Sequence, residues 1–151
     1  MGNIGTPQRF AYTAIGDPVN VASRLETLNK VYGTRILAGE EVYREAGDTL
    51  FEWRKLDRVE VFGRSEDLWI YELLGKKGTI DPLRMEAKAL YEEALDLYQN
   101  SRFTEAAEKF AHVSELQPGD LAARILGLRC VEFQFSPPSI GWRGAYAVTS
   151  K

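Results

Sequence analysis

The sequence predicts an α+β protein, with strand signals alternating with helices in its first half and a wholly helical stretch in its second. Three observations carry that reading. Between Tyr12 and Glu26, in Y-T-A-I-G-D-P-V-N-V-A-S-R-L-E, an apolar run with β-branched residues gives way at Gly16, and the hydrophobic spacing then changes from strand-like to helical. Two extended segments, about 50–62 and 68–74, flank Gly63-Arg64-Ser65-Glu66-Asp67, a hairpin signal. From Pro82 onward Ala, Leu, Glu and Lys dominate at helical spacing. With 151 residues and 44% hydrophobic content, the chain can bury a core in one domain, or in a domain with a small appendage.

Each element has its own signal. Asp17 is a good helix N-cap, and Pro18 suits the first helical position, where its missing N–H would have found no partner anyway. Val21, Leu25 and Leu28 form the buried stripe of that helix, and Gly33 ends it. Residues 34–38 read as a short buried strand stopped by Gly39, and 40–46 as a short helix with acids in its first turn, ended by Gly47-Asp48. The polar run Gly75-Lys76-Lys77-Gly78-Thr79 marks a boundary. Helices are predicted over 82–100 (stripe Leu83, Ala87, Leu90, Ala94, Leu97, Tyr98), over 103–116 (Ala106, Phe110, Val113) and over 120–135, with Pro118-Gly119 between the last two. The short Asn100-Ser101-Arg102 link makes the first two antiparallel neighbours. The ending 136–151, with Pro137-Pro138, Trp142 and Tyr146, is too aromatic for a disordered terminus.

Asn20 and Arg24 are the candidate chemistry. They lie four apart on the first two turns of a helix, so an amide and a guanidinium share one line. Arg keeps its charge at any working pH and offers a planar fork of donors, and Asn adds directional groups beside it. Near a helix N-terminus such a pair suits a phosphate. The same spacing also fits a solvated face on which Arg24 pairs with a nearby acid.

The residue string shifts the balance toward the phosphate reading. Gly2-Asn3-Ile4-Gly5-Thr6-Pro7-Gln8-Arg9, Tyr12-Thr13 and Gly16-Asp17-Pro18-Val19-Asn20-Val21-Ala22-Ser23-Arg24-Leu25-Glu26 resemble the second half of the catalytic domain of class III adenylate and guanylate cyclases. The resemblance implies the latter part of a ferredoxin-like α/β sandwich. It also implies that Asn20 and Arg24 stabilise the transition state in which the 3′-hydroxyl of ATP attacks its own α-phosphate, giving cyclic AMP and pyrophosphate. Thr13, after the strand Tyr, stands at the purine-selecting position and looks like the bacterial adenylate cyclase subgroup. Family members bind two metal ions, Mg²⁺ or Mn²⁺, through two aspartates and contact adenine with a lysine, all begun in an N-terminal half. This chain begins at the internal G-N-I-G turn. It is therefore expected to be a fragment that holds no metal alone and is inactive or nearly so, since family sites form between two subunits. The main departure is at the hairpin, where the family reads V-K-G-K with a triphosphate lysine and this chain reads Val61-Phe62-Gly63-Arg64. Arg64 is a substrate-binding candidate from another direction, or else a solvent-facing turn residue.

The helical part is similar to one tetratricopeptide repeat over about 87–119, capped by a third helix. A lone repeat cannot bury both faces, so it is expected to pack on the sheet, on a dimer mate or on another protein. The ending P-P, W-x-G, T-x-K is similar to the C-termini of bacterial membrane-tethered adenylate cyclases with an extracytoplasmic sensor. The expected organisation is a cyclase half-domain over 1–75, a linker over 76–82, a tetratricopeptide-like region over 83–135 and an ordered tail over 136–151. A second reading is a non-catalytic dimerisation or regulatory module, which Phe62 favours.

Other classes find little support. A net charge of −3 without a Lys/Arg cluster gives no footprint for nucleic acid. Cys130 is the only cysteine and sits in an apolar stretch, which reads as inert packing. With no long apolar segment or signal peptide, the chain reads as cytoplasmic, any tether of its parent lying upstream. His112 is the only histidine, leaving little basis for a metal cluster or a triad.

Overall fold

The computed structural model describes residues 17–60 and 67–147, with the side chains of 17–24 outside the description. The elements, in order, are α1 (Asp17–Tyr32), β1 (Leu37–Gly39), α2 (Glu40–Ala46), β2 (Phe51–Glu60), β3 (Asp67–Lys76), α3 (Pro82–Gln99), α4 (Phe103–Leu116), α5 (Leu121–Phe135) and β4 (Tyr146–Ala147). The fold is α+β, a mixed sheet followed by a helical bundle. Among the described residues the sheet has four strands in the order β1-β3-β2-β4. β3 pairs antiparallel with β1 and β2, and β4 joins the edge of β2 in parallel, Val59 opposite Tyr146.

Local chemistry sets most boundaries. Gly33 takes a left-handed conformation (φ 68°), and the N–H of Thr34 donates back to the carbonyl of Asn29 at 3.0 Å, closing α1 in a Schellman-type turn. That turn consumes Thr34, so the strand predicted over 34–38 shortens to Leu37–Gly39. Asp81 caps α3 by accepting from the N–H groups of Leu83 and Arg84, with Pro82 at the helix start. Asp120 caps α5 by accepting from Ala123 N–H. The turn 61–66 of the β2–β3 hairpin lies outside the described residues, but the strands meet on either side of it, Glu60 opposite Asp67.

The two faces of the sheet are covered unequally. One carries Leu37, Leu56, Val59 and Ile70 into a single core with Leu28 and Tyr32 of α1 and the buried side chains of all three later helices. The bundle therefore packs on the sheet, the first of the three partners its sequence allows. Tyr91 of α3 meets Phe110 of α4 edge to face, with centroids 5.2 Å apart. On the other face the short α2 lays Tyr43 flat on Tyr71, centroids 3.9 Å apart, beside Trp53.

A bulge in β2 decides what enters the larger core. Lys55 pairs with Tyr71 and Asp57 with Ile70, leaving Leu56 as the extra residue. Simple alternation would carry Leu56 inward and turn Asp57 to the opposite face. With the bulge, both are fully buried. The bulge is itself satisfied by α3, as the Tyr91 hydroxyl donates to the Leu56 carbonyl at 2.7 Å and Glu92 accepts from the Lys55 N–H at 2.9 Å.

After α5 the chain turns back over the bundle. Trp142 packs among Tyr98, Phe103 and Phe133, and its indole N–H donates to the Ala145 carbonyl at 2.8 Å. Gly144 has φ 95°, and a Cβ there would overlap the amide of Gln99, whose Nε2 donates to the Gly144 carbonyl.

Because sheet and bundle share one core, the protein should unfold in one step. Phe110→Ala removes a fully buried ring and should lower stability by about 3–5 kcal/mol. Urea unfolding followed by far-UV circular dichroism and by tryptophan fluorescence should give coincident curves. Separate transitions would mean the halves fold independently.

Candidate functional site

Of the four residues singled out from sequence, Thr13 and Arg64 lie outside the described residues. Asn20 and Arg24 stand on α1, in its first two turns, with their side chains outside the description. What the structure defines is the platform that holds this helix. Leu28 and Tyr32, continuing the same four-residue line, are buried in the main core. Positions 20 and 24 thus stand in the N-terminal half of a helix whose C-terminal half is fixed in the core.

The fixing group is a buried polar network. The Tyr32 hydroxyl donates to Asp57 Oδ2 at 2.6 Å, and Arg129 Nη1 of α5 donates to the same oxygen at 2.8 Å. Arg129 also donates to the hydroxyl oxygens of Tyr32 (3.2 Å) and Tyr98 (3.3 Å), while the Arg58 backbone N–H donates to Asp57 Oδ1 at 2.8 Å. Its guanidinium lies 3.7 Å from the ring centroid of Tyr146, in β4. Burial alone would lower the Arg129 pKa, but the facing Asp57 carboxylate, with Tyr32 and Tyr98, holds it above its ordinary value. Burial first, then Asp57, raises the Tyr32 phenol well above its usual range, so Tyr32 stays neutral and donates. Next to this network Cys130 is fully buried, its thiol pushed up to about 12 by burial, as inert packing requires. His112 is exposed on α4.

A second joint closes the far end of α1. Arg54 of β2 is buried between Glu72 of β3 and Asp120, the cap of α5, donating to each at 2.8 and 2.6 Å. These residues, with Gly33, Arg84 and Lys88, line a polar cavity of about 360 Å³. Its charges are already committed to one another: Arg84 approaches Glu72 and Lys88 binds Glu52. The cavity is a charged seam between sheet and bundle. Sequence reading passed over Asp57, Arg54 and Arg129. Their signal is a charge at a core position of an apolar segment, as in L-G-L-R-C-V.

The described residues do not fit a divalent cation. Among them no three His, Cys, Asp or Glu side chains come together to hold one. The buried carboxylates Glu52, Asp57 and Glu72 and the partly buried Asp120 each face a Lys or Arg instead. Nor, among the described residues, is any helix long and apolar enough to cross a membrane.

Comparison with known proteins shows similarity to adenylate cyclases. The chain is 36% identical over 135 residues to "Adenylate cyclase, terminal-differentiation specific" of Dictyostelium discoideum, a match covering 87% of this chain and 6% of that protein. It is 47% identical over 75 residues to Adenylate cyclase 1 of Rhizobium meliloti, covering 50% of this chain and 11% of the relative. An adenylate cyclase of Anabaena cylindrica is 45% identical over 75 residues, covering 48% and 15%. The chain is thus homologous to adenylate cyclases and spans 15% or less of the length of each of these relatives. No protein-family model and no solved structure matches it. A match over 87% of the chain must take in the helical bundle as well as the sheet.

Two measurements test the platform. A Cβ on Gly33 would sit 2.9 Å from Leu121 Cβ at a left-handed φ, so Gly33→Ala should cost about 1–2 kcal/mol or more. An unchanged urea midpoint would refute the joint. The Lys88 hydrogen bond, outweighing burial, holds the Glu52 carboxyl below its ordinary value. A lowered folded pKa stabilises above the unfolded value of about 4.3, and that stabilisation is lost as the pH falls through the folded one. The Tm difference between wild type and Lys88→Met should therefore be full at pH 7 and narrow in acid. A difference that stays constant down to the acid limit of folding would rule this out.

Proposed function

We propose that this chain is the C-terminal half of a class III adenylate cyclase catalytic domain, with a tetratricopeptide-like bundle attached, and that it supplies the Asn20 and Arg24 side of an ATP site. The observation that carries this is the V-N-V-A-S-R string on α1 in a chain homologous to adenylate cyclases. Asn20 orients the ribose, and Arg24 stabilises charge that develops on the phosphates as the 3′-oxygen attacks. That is a task for preorganised donors on a rigid element rather than for acid–base groups. A helix clamped at its far end meets this requirement. Thr13 contributes to purine selection, and Arg64 stands in for the phosphate lysine replaced by Phe62. The metal-binding carboxylates come from the other side of a site shared between two subunits, and the working compartment is the cytoplasm.

The second reading, a dimerisation module that has left catalysis, is favoured by Phe62 and by the apolar stripe Leu128, Val131 and Phe135, exposed along α5. One experiment separates them. The chain is mixed with an adenylate cyclase whose own Asn and Arg pair has been replaced by Ala, and cyclic AMP is measured with ATP and Mn²⁺. Alone, the chain should form none. The mixture should regain activity, and Arg24→Ala in this chain should lower it by about 10²–10³-fold, the usual loss for one transition-state donor. Association without any activity that depends on Arg24 would favour the module.

A further inference from the structure

We propose that Arg129 is a positioning residue for the helix that carries Asn20 and Arg24, so that the bundle sets where that pair stands. The catalytic part of this inference rests on the cyclase reading above, and the mechanical part does not.

The last turn of α1 is held from two sides. Tyr32 donates a hydrogen bond from its hydroxyl to Asp57 on the sheet and accepts one from Arg129 on the bundle. Immediately after it, Gly33 lies against Leu121, at the start of the same helix α5. Arg129 is the member common to every part of the network: it reaches Asp57, Tyr32 and Tyr98 through its two terminal nitrogens and stacks on Tyr146. It does so with its Nε left without a hydrogen-bond partner among the described residues. A group placed for stability alone has little reason to be here. A buried ion pair is a weak stabiliser compared with apolar packing of the same volume, whereas its directional bonds fix a single geometry.

Leverage makes that geometry matter. Arg24 and Asn20 lie eight and twelve residues before Tyr32, which is roughly 12 and 18 Å along the helix axis. A stiff helix rotated by about 5° at Tyr32 moves position 20 by about 1.5 Å. Misplacement of about 1 Å can cost a reacting site about 10²-fold in rate. The fork of Arg129 therefore controls the aim of residues two turns and more away. Lysine could keep the charge opposite Asp57 but could not reach Asp57, Tyr32 and Tyr98 together.

The test uses the whole chain and two variants, Arg129→Lys and the neutral pair Asp57→Asn with Arg129→Gln, which leaves no uncompensated charge. Hydrogen–deuterium exchange is compared between the amides of α1 and those of α4. Amides of α1 should exchange at least tenfold faster in both variants, with α4 close to wild type. In the mixed assay described above, kcat should fall at least tenfold in Arg129→Lys with KM nearly unchanged, and Tyr32→Phe should shift it in the same direction. Equal acceleration in α1 and α4, loss of protection throughout, or no change in α1 would each overturn the proposal and leave Arg129 as an ordinary core residue. If the wild-type mixture shows no Arg24-dependent cyclic AMP, the cyclase reading fails, while the exchange comparison still decides whether Arg129 fixes α1.

Discussion

The ion pair between Asp57 and Arg129 is the interaction through which the parts of this molecule are joined. Its carboxylate comes from the central hairpin and its guanidinium from the last helix, and both are almost wholly removed from water. Two charges so placed are costly to bury, and they are tolerated only because their polar atoms are largely paired. Tyr32, Tyr98 and the Arg58 backbone supply the pairing, which draws α1, α3 and β2 to one point. Tyr146 brings the C-terminal strand to the same place. The first helix, the sheet, the bundle and the tail are therefore not separable by any cut that leaves this network intact.

The bulge at Leu56 makes the pair possible. Without it Asp57 would face the aromatic side of the sheet, near Trp69, and Arg129 would have no carboxylate. The irregularity is stabilised by Tyr91 and Glu92, neighbours on α3, so the bundle both satisfies the bulge and uses what the bulge presents. Arg54 repeats the arrangement a few residues earlier, joining β3 to the cap of α5 through Glu72 and Asp120. Two charged seams, rather than apolar contact alone, thus fix the docking of bundle on sheet.

That docking gives the homology to adenylate cyclases a mechanical content. The long match to the Dictyostelium protein extends across both sheet and bundle, as expected if the two are one working unit. Helix α1 enters the shared core by its C-terminal half, and positions 20 and 24 lie in its N-terminal half. A site that depends on preorganised donors benefits from such a mounting, because rigidity at the base is what a stiff helix carries to its tip.

The sequence by itself determined most of the described elements and their order, while the strand it predicts before Gly16 lies outside the described residues. Asp17-Pro18, Gly33, Gly47, Pro82 and Pro118-Gly119 punctuate the chain by backbone chemistry that acts over a few residues, so those boundaries were legible. The candidate pair Asn20 and Arg24 comes from one local string, and its side chains lie outside the described residues. What only the tertiary structure decided is which surfaces meet. Leu56 and Val59, three apart in a strand, carry the mark of a bulge, yet nothing local says that Asp57 turns inward. Arg129 reads as a stray charge in an apolar helix until a carboxylate 72 residues away is found against it. The strand pairing of Tyr146 with Val59 and the seating of the bundle on the sheet are likewise long-range choices. They are settled by burial and charge compensation between distant segments, which no window of sequence contains.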